Sequence, residues 1–166
     1  MIKSIGRFVV KIVIASDPLA VSLKEMIKDH LLEKGYEIFD VGSKDNDPML
    51  FMYAADNAAK MIQSGKADRG IVLCGSGAGV GIVANKHKGV YCAIVESEWA
   101  AKQSRIINNA NMIALGARIF GEGLAIDTVD AFLNTEWAQG ADLKRRANIE
   151  VLQAKVKEIE NREFCT

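Results

Sequence analysis

The sequence has no net charge, no long apolar run and few cysteines, and each shortage excludes something. Lys plus Arg and Asp plus Glu both number 21 in 166 residues, so no global field recruits nucleic acid or an anionic membrane surface. An anionic ligand must be held by a few placed cations. No apolar stretch approaches the length that spans a bilayer. Met1 to Arg7 is charged and Phe8–Ala15 is interrupted by Lys11, so no secretory signal is expected. Three cysteines, Cys74, Cys92 and Cys165, lie far apart without CxxC spacing. That pattern favours neither a disulfide framework nor a zinc site and fits a reducing cytoplasm. His30 and His87 have no second ligand at metal spacing, so no metal is assigned.

What is present is a globular composition, 49% apolar and 25% charged, in a length that suits one domain over residues 1–166. The run FVVKIVIA over Phe8–Ala15 predicts a buried strand ending at Ser16-Asp17-Pro18. Leu23, Met26, Ile27, His30 and Leu31 then repeat at helical spacing until Gly35. Strands are expected at Tyr36–Val41, Gly70–Cys74, Val90–Val95 and Met112–Leu115. Helices are expected over about 50–64, from the glycine loop to Lys86, and over 99–108 and 123–133. Strand and helix alternate throughout, which predicts an α/β fold, a three-layer sandwich with a five-stranded parallel sheet. The tail from about 141 to 161 predicts a charged C-terminal helix. Its stripe Ile149, Leu152, Val156 and Ile159 would pack on its own domain or on a second subunit.

In an open parallel sheet, ligands bind beyond the carboxyl ends of the strands. Those ends carry Ser16-Asp17, Cys74, Glu96-Ser97 and Gly116-Ala117-Arg118. After Cys74 comes Gly75-Ser76-Gly77-Ala78-Gly79-Val80-Gly81, whose backbone could cradle an anion. It lacks the GK[ST] of a Walker loop, and its glycine spacing and place after the third strand differ from dinucleotide-binding loops. A cysteine beside backbone donors can act as nucleophile or base, or can be a small core residue. Cys92 fits plain core. Asp17 could accept hydrogen bonds from sugar hydroxyls or cap the next helix.

Several of these segments stand in register with a known family. Ser16-Asp17, Leu23-Lys24-Glu25, Ala67-Asp68-Arg69-Gly70, Cys74-Gly75-Ser76-Gly77-Ala78-Gly79, Ala84-Asn85-Lys86, Asn108-Asn109-Ala110-Asn111 and Leu115-Gly116-Ala117-Arg118 follow one another in order. The chain thus resembles the ribose-5-phosphate isomerase B and galactose-6-phosphate isomerase family from about Lys11 to Trp137. The resemblance implies a Rossmann-like sheet and a homodimer, with a tetramer open, whose sites use residues of both subunits. It also implies aldose–ketose interconversion of a small phosphorylated sugar through a cis-enediolate, without metal or cofactor. By position, Cys74 would be the base. The amides from Gly75, Gly77, Ala78 and Gly79 with the Ser76 hydroxyl would stabilise the oxyanion. Asp17 and Asn108 would hold hydroxyls or the carbonyl, and Arg118 and Arg145 the phosphate.

The departures from the family are specific. Pro18 stands where members acting on ribose 5-phosphate usually have histidine. Ile107 stands where a histidine opens the sugar ring. Gln139-Gly140-Ala141-Asp142 replaces a Gly-Gly-Arg-His run, leaving Arg145, or its neighbours Lys144 and Arg146, for the phosphate. The expected substrate is therefore short or acyclic, such as a tetrulose 4-phosphate. The alternatives are ribose-5-phosphate isomerase B itself, a galactose-6-phosphate isomerase subunit, or a non-catalytic sugar-phosphate-binding relative.

Overall fold

The computed structural model describes residues 9–164. Phe8, the charged start of the chain and Cys165 lie outside them. Five strands form one parallel sheet: β1 (Lys11–Ser16), β2 (Glu37–Asp40), β3 (Arg69–Cys74), β4 (Cys92–Ile94) and β5 (Met112–Gly116), in the order β2-β1-β3-β5-β4. Among the described residues six α-helices accompany them: α1 (Val21–Glu33), α2 (Phe51–Gln63), α3 (Ala78–Ala84), α4 (Glu98–Ile106), α5 (Glu122–Leu133) and α6 (Leu143–Glu163). The three-layer expectation is met. The main differences are a shorter fourth strand and a one-turn 3-10 helix, Pro18–Ala20, between β1 and α1.

Strand alternation decides which helix goes where. Ile12 and Ile14 of β1, Ile71 and Leu73 of β3, and Ile113 and Leu115 of β5 point to one face, under α1, α4 and α5. Val13, Ala15, Val72, Cys74, Met112 and Ala114 point to the other, under α2 and α3. The buried face of α2 is all alanine, at 54, 55, 58 and 59. Small side chains bring that helix close to the sheet, beside the end of β3.

The chain leaves β1 for β2 on one side and returns to β3 on the other. Such a reversal opens a crevice at the carboxyl ends of β1 and β3, where Asp17 and Cys74 stand. A buried lysine fixes the floor beside it. Lys24 has no solvent exposure and pairs with Asp40 at 2.6 Å and Glu25 at 2.7 Å, while donating to the Ser43 carbonyl at 2.8 Å. The Ser43 hydroxyl in turn accepts from the Met49 N–H at 2.7 Å and donates to its carbonyl at 2.9 Å. These bonds close the loop that delivers Phe51 to the crevice.

The C-terminal helix forms as expected, but its stripe is mostly uncovered. Ile149 and Gln153 are buried, whereas Leu152, Val156 and Ile159 remain exposed. Glu160 ties the helix to its own chain by accepting from the Tyr91 hydroxyl at 2.9 Å and from the Gly89 N–H. Among the described residues no helix is long and apolar enough to cross a membrane.

Candidate active site

Cys74 closes β3 with its side chain turned toward α2 and α3, and it is 6% exposed. Its Sγ accepts a hydrogen bond from the Gly77 N–H at 3.2 Å. That bond needs the chain to double back within three residues, which it does at Gly77 with φ +78°. A side chain there would also stand 3.0 Å from the Leu115 carbonyl carbon. Glycine is thus required twice over at this position. Ser76 reaches forward, its Oγ 3.4 Å from the Ala78 N–H.

A cleft of about 410 Å³ opens above the thiol. Its polar side chains are Asp17, Cys74, Ser76 and Arg118, and Gly75 and Gly79 form part of its wall. Arg118 is exposed, its backbone N–H donates to the Gly75 carbonyl at 3.0 Å, and no carboxylate among the described residues forms an ion pair with it. The guanidinium is therefore available to an anion. Asp17 is largely buried, and its Oδ1 accepts from the Leu19 N–H at 3.0 Å.

Burial raises the Asp17 carboxyl above its ordinary pKa, against smaller opposite pulls from the Leu19 and Ala20 amides and from Arg118. For an acid, a raised folded-state pKa means that ionisation costs stability. The protein has the full benefit of the neutral group below the unfolded-state pKa and loses it as pH rises through the folded-state pKa. Asp17→Asn keeps the acceptor for Leu19. This variant is expected to melt above the parent at neutral pH and to converge with it below about pH 4. Thermal unfolding followed across that range checks this; a gap that does not change with pH contradicts it.

The structure thus brings together Asp17, Cys74, Gly75, Ser76, Gly79 and Arg118. Gly77 and Ala78 serve the inside of the loop, their N–H groups engaged with Cys74 and Ser76. Asn108 and Arg145 do not reach the cleft of their own chain. Asn108 is exposed and borders a separate cavity of about 260 Å³ with Cys92 and Gln153. Arg145 is exposed in the first turn of α6, where Asp142 caps its backbone N–H at 2.8 Å. Arg146 pairs with Glu150.

Other residues settle as structural. His30 contacts Asp130 at 3.1 Å and His87 contacts Asp56 at 2.8 Å. Burial pushes the Cys92 thiol up to about 12, consistent with inert core. Among the described residues no three His, Cys, Asp or Glu side chains converge as a metal site. Sequence reasoning missed Arg105, which is 2% exposed and donates to the Asn109 side chain at 3.0 Å, the Ala110 carbonyl at 2.6 Å and the Thr135 carbonyl at 3.2 Å. Burial lowers its pKa to about 10. It pins the turn after Ile107 and Asn108, in which Asn109 takes φ +50°. No spacing rule distinguishes such an arginine from a solvated one.

The Ribose/Galactose Isomerase family model matches residues 12–149, which contain the whole cleft. The chain belongs to the ribose/galactose isomerase family. Within that family it is 40% identical over 151 residues to a 4-deoxy-4-sulfo-D-erythrose isomerase from Clostridium sp. (strain MSTE9), covering 90% of this chain and 95% of the relative. It is 38% identical over 130 residues to the D-erythrulose-4-phosphate isomerase of Pectobacterium atrosepticum, covering 78% and 86%. Among solved structures, ribose-5-phosphate isomerase B of Clostridium thermocellum superposes with a TM-score of 0.84 at 37% identity, covering 92% of this chain and 99% of the other. As a member of this family, the chain is a sugar-phosphate isomerase with the three-layer fold of its structural relatives.

Proposed function

We propose that this family member interconverts the aldose and ketose forms of a short sugar carrying a terminal anion, such as a tetrulose 4-phosphate, with Cys74 as the base. The observation that carries the reading is the Cys74 thiol and the unpaired Arg118 guanidinium in one cleft. The thiolate, steadied by the Gly77 N–H, takes the proton from C2 of the aldose. The released electron pair forms the enediolate, with charge on O1 facing the Ser76 hydroxyl and the Gly75 and Gly79 amides. The O2 hydroxyl proton passes to O1, and the thiol returns its proton to C1. The ketose leaves and the thiolate is regenerated, so no oxidant or cofactor enters the balance. Asp17 accepts a hydrogen bond from a substrate hydroxyl, and Arg118 holds the anion.

Asn108 and Arg145 enter this scheme from a second copy of the chain, since neither reaches the cleft of its own. The exposed stripe on α6 fits a homodimer, with the chain acting as one domain. A reducing cytoplasm suits a mechanism that depends on a free thiol. The two four-carbon relatives support the chain length.

Incubation with a four-carbon ketose phosphate in deuterated water should place solvent deuterium at C1. Neither Cys74→Ala nor Asn108→Ala protein should do so efficiently. Mixed and allowed to exchange subunits, they should regain about a quarter of the parent activity, the share expected when half of randomly paired two-fold dimers carry one intact site. No regain despite proven subunit exchange would place the site within one chain. No exchange with any four-, five- or six-carbon sugar phosphate would end the isomerase reading.

A further inference from the structure

We infer that Leu19, Phe51 and Ile119 form an apolar wall that limits this site to four-carbon chains, with Leu19 the main determinant; the inference rests on the isomerase reading above. All three line the cleft, Leu19 and Phe51 over its glycines and Ile119 over the glycine that ends β5. Leu19 Cδ1 lies 3.4 Å from where a Cβ on Gly75 would be, the Phe51 ring 2.9 Å from the same point on Gly79, and Ile119 Cδ1 2.9 Å from that on Gly116. The space that glycine leaves open near the thiol is thus taken by hydrocarbon brought from other elements.

Two of these side chains are open to solvent where they stand. Leu19 is 62% exposed and Ile119 is 45% exposed. Leu19 is also held in place: Pro18 fixes the start of the 3-10 turn, and the Asp17 carboxylate accepts the Leu19 N–H. The carboxylate assigned to the substrate therefore also positions the wall.

Charge placement sets the direction in which a ligand lies. The Arg118 Nε lies 4.0 Å from the Cβ position of Gly75, the residue next to the thiol. Thiol and guanidinium line one cleft with the three apolar side chains, so a ligand that reaches from one to the other passes along this wall. A further CHOH unit has to turn toward Leu19, Phe51 or Ile119, none of which can hydrogen-bond its hydroxyl. A polar group desolvated without a partner is penalised far more than a matched one, so the wall rejects five-carbon chains by loss of hydrogen bonds as well as by volume.

Erythritol 4-phosphate and ribitol 5-phosphate are the probes, because both are open chains that cannot isomerise. Calorimetric titration then reads chain length apart from ring opening and turnover. The parent protein should bind the four-carbon probe at least about tenfold more tightly, the discrimination that one such unit typically provides. Leu19→Ala should reduce that ratio to near unity by gaining affinity for ribitol 5-phosphate, and Leu19→Ser should favour it further. Equal affinities in the parent, or a ratio untouched by both substitutions, would overturn the wall. Binding of the probes without deuterium exchange into any sugar phosphate would sink the isomerase reading and leave the wall standing. Failure of the parent to bind either probe would remove both.

Discussion

Cys74→Ala protein is expected to fold, to bind substrate and to lose isomerisation by about 10²–10⁴-fold, the range that a positioned acid–base group supplies. The fold should survive because the thiol is one small group in a face built mainly of alanine and valine. Its removal costs about 1 kcal/mol on the scale of small core deletions. Binding should survive because Asp17, Ser76 and Arg118 line the same cleft through their own elements. Solvent deuterium incorporation should fall in parallel with turnover, since both begin with the same proton. In the parent, iodoacetamide should inactivate unless substrate is present. A Cys74→Ala enzyme with near-normal turnover removes cysteine from the mechanism.

The second large effect separates substrates. Opening a furanose ring requires proton transfer at the ring oxygen and at the anomeric hydroxyl, and positioned acid–base help of that kind is worth about 10²–10⁴-fold. Ile107 cannot supply it. Cyclic ribose 5-phosphate is therefore expected to react only as fast as its open form appears. A tetrulose 4-phosphate, whose terminal oxygen is blocked by phosphate, has no such ring to open and loses nothing. The expected order by kcat/KM is tetrulose phosphate well above ribose 5-phosphate. Ile107→His should raise activity on ribose 5-phosphate selectively, because Arg105 already holds the turn that follows position 107. Faster turnover of ribose 5-phosphate than of every tetrose phosphate tested would overturn this order and point to another ring-opening group, with Glu96 the first to test.

Much of this was readable from residue pattern. Runs such as KIVIAS and RGIVLC are buried on both faces of a parallel sheet, and such strands announce themselves as unbroken apolar stretches. The fourth strand was read too long because Val90 and Val95 are apolar for packing reasons while only Cys92–Ile94 pairs with β5. Cys74, its glycine loop, Asp17 and Arg118 stood out because they lie at strand ends, where a parallel sheet places ligands. The strand order did not follow from pattern, since every crossover looks alike until partners are chosen. Nor did the Leu19, Phe51 and Ile119 wall, whose members come from three separate elements. Lys24 lies in one of the family segments, yet a lysine with no exposure carries no mark in a sequence that distinguishes it from one in water. The uncovered stripe of α6 shows the same limit. Periodicity revealed an apolar face, and only coordinates reveal that its own chain leaves it open.

The two edge strands of the sheet are brief, four residues in β2 and three in β4. An edge that short offers few free N–H and C=O groups to a neighbouring chain, which is how many proteins guard against pairing edge to edge. Two copies of this protein therefore have little to gain by continuing one sheet through another. Any lasting association has to be written in side chains on helices and loops, where a single substitution can alter it without disturbing the core. Assembly can then change between relatives while the fold stays the same.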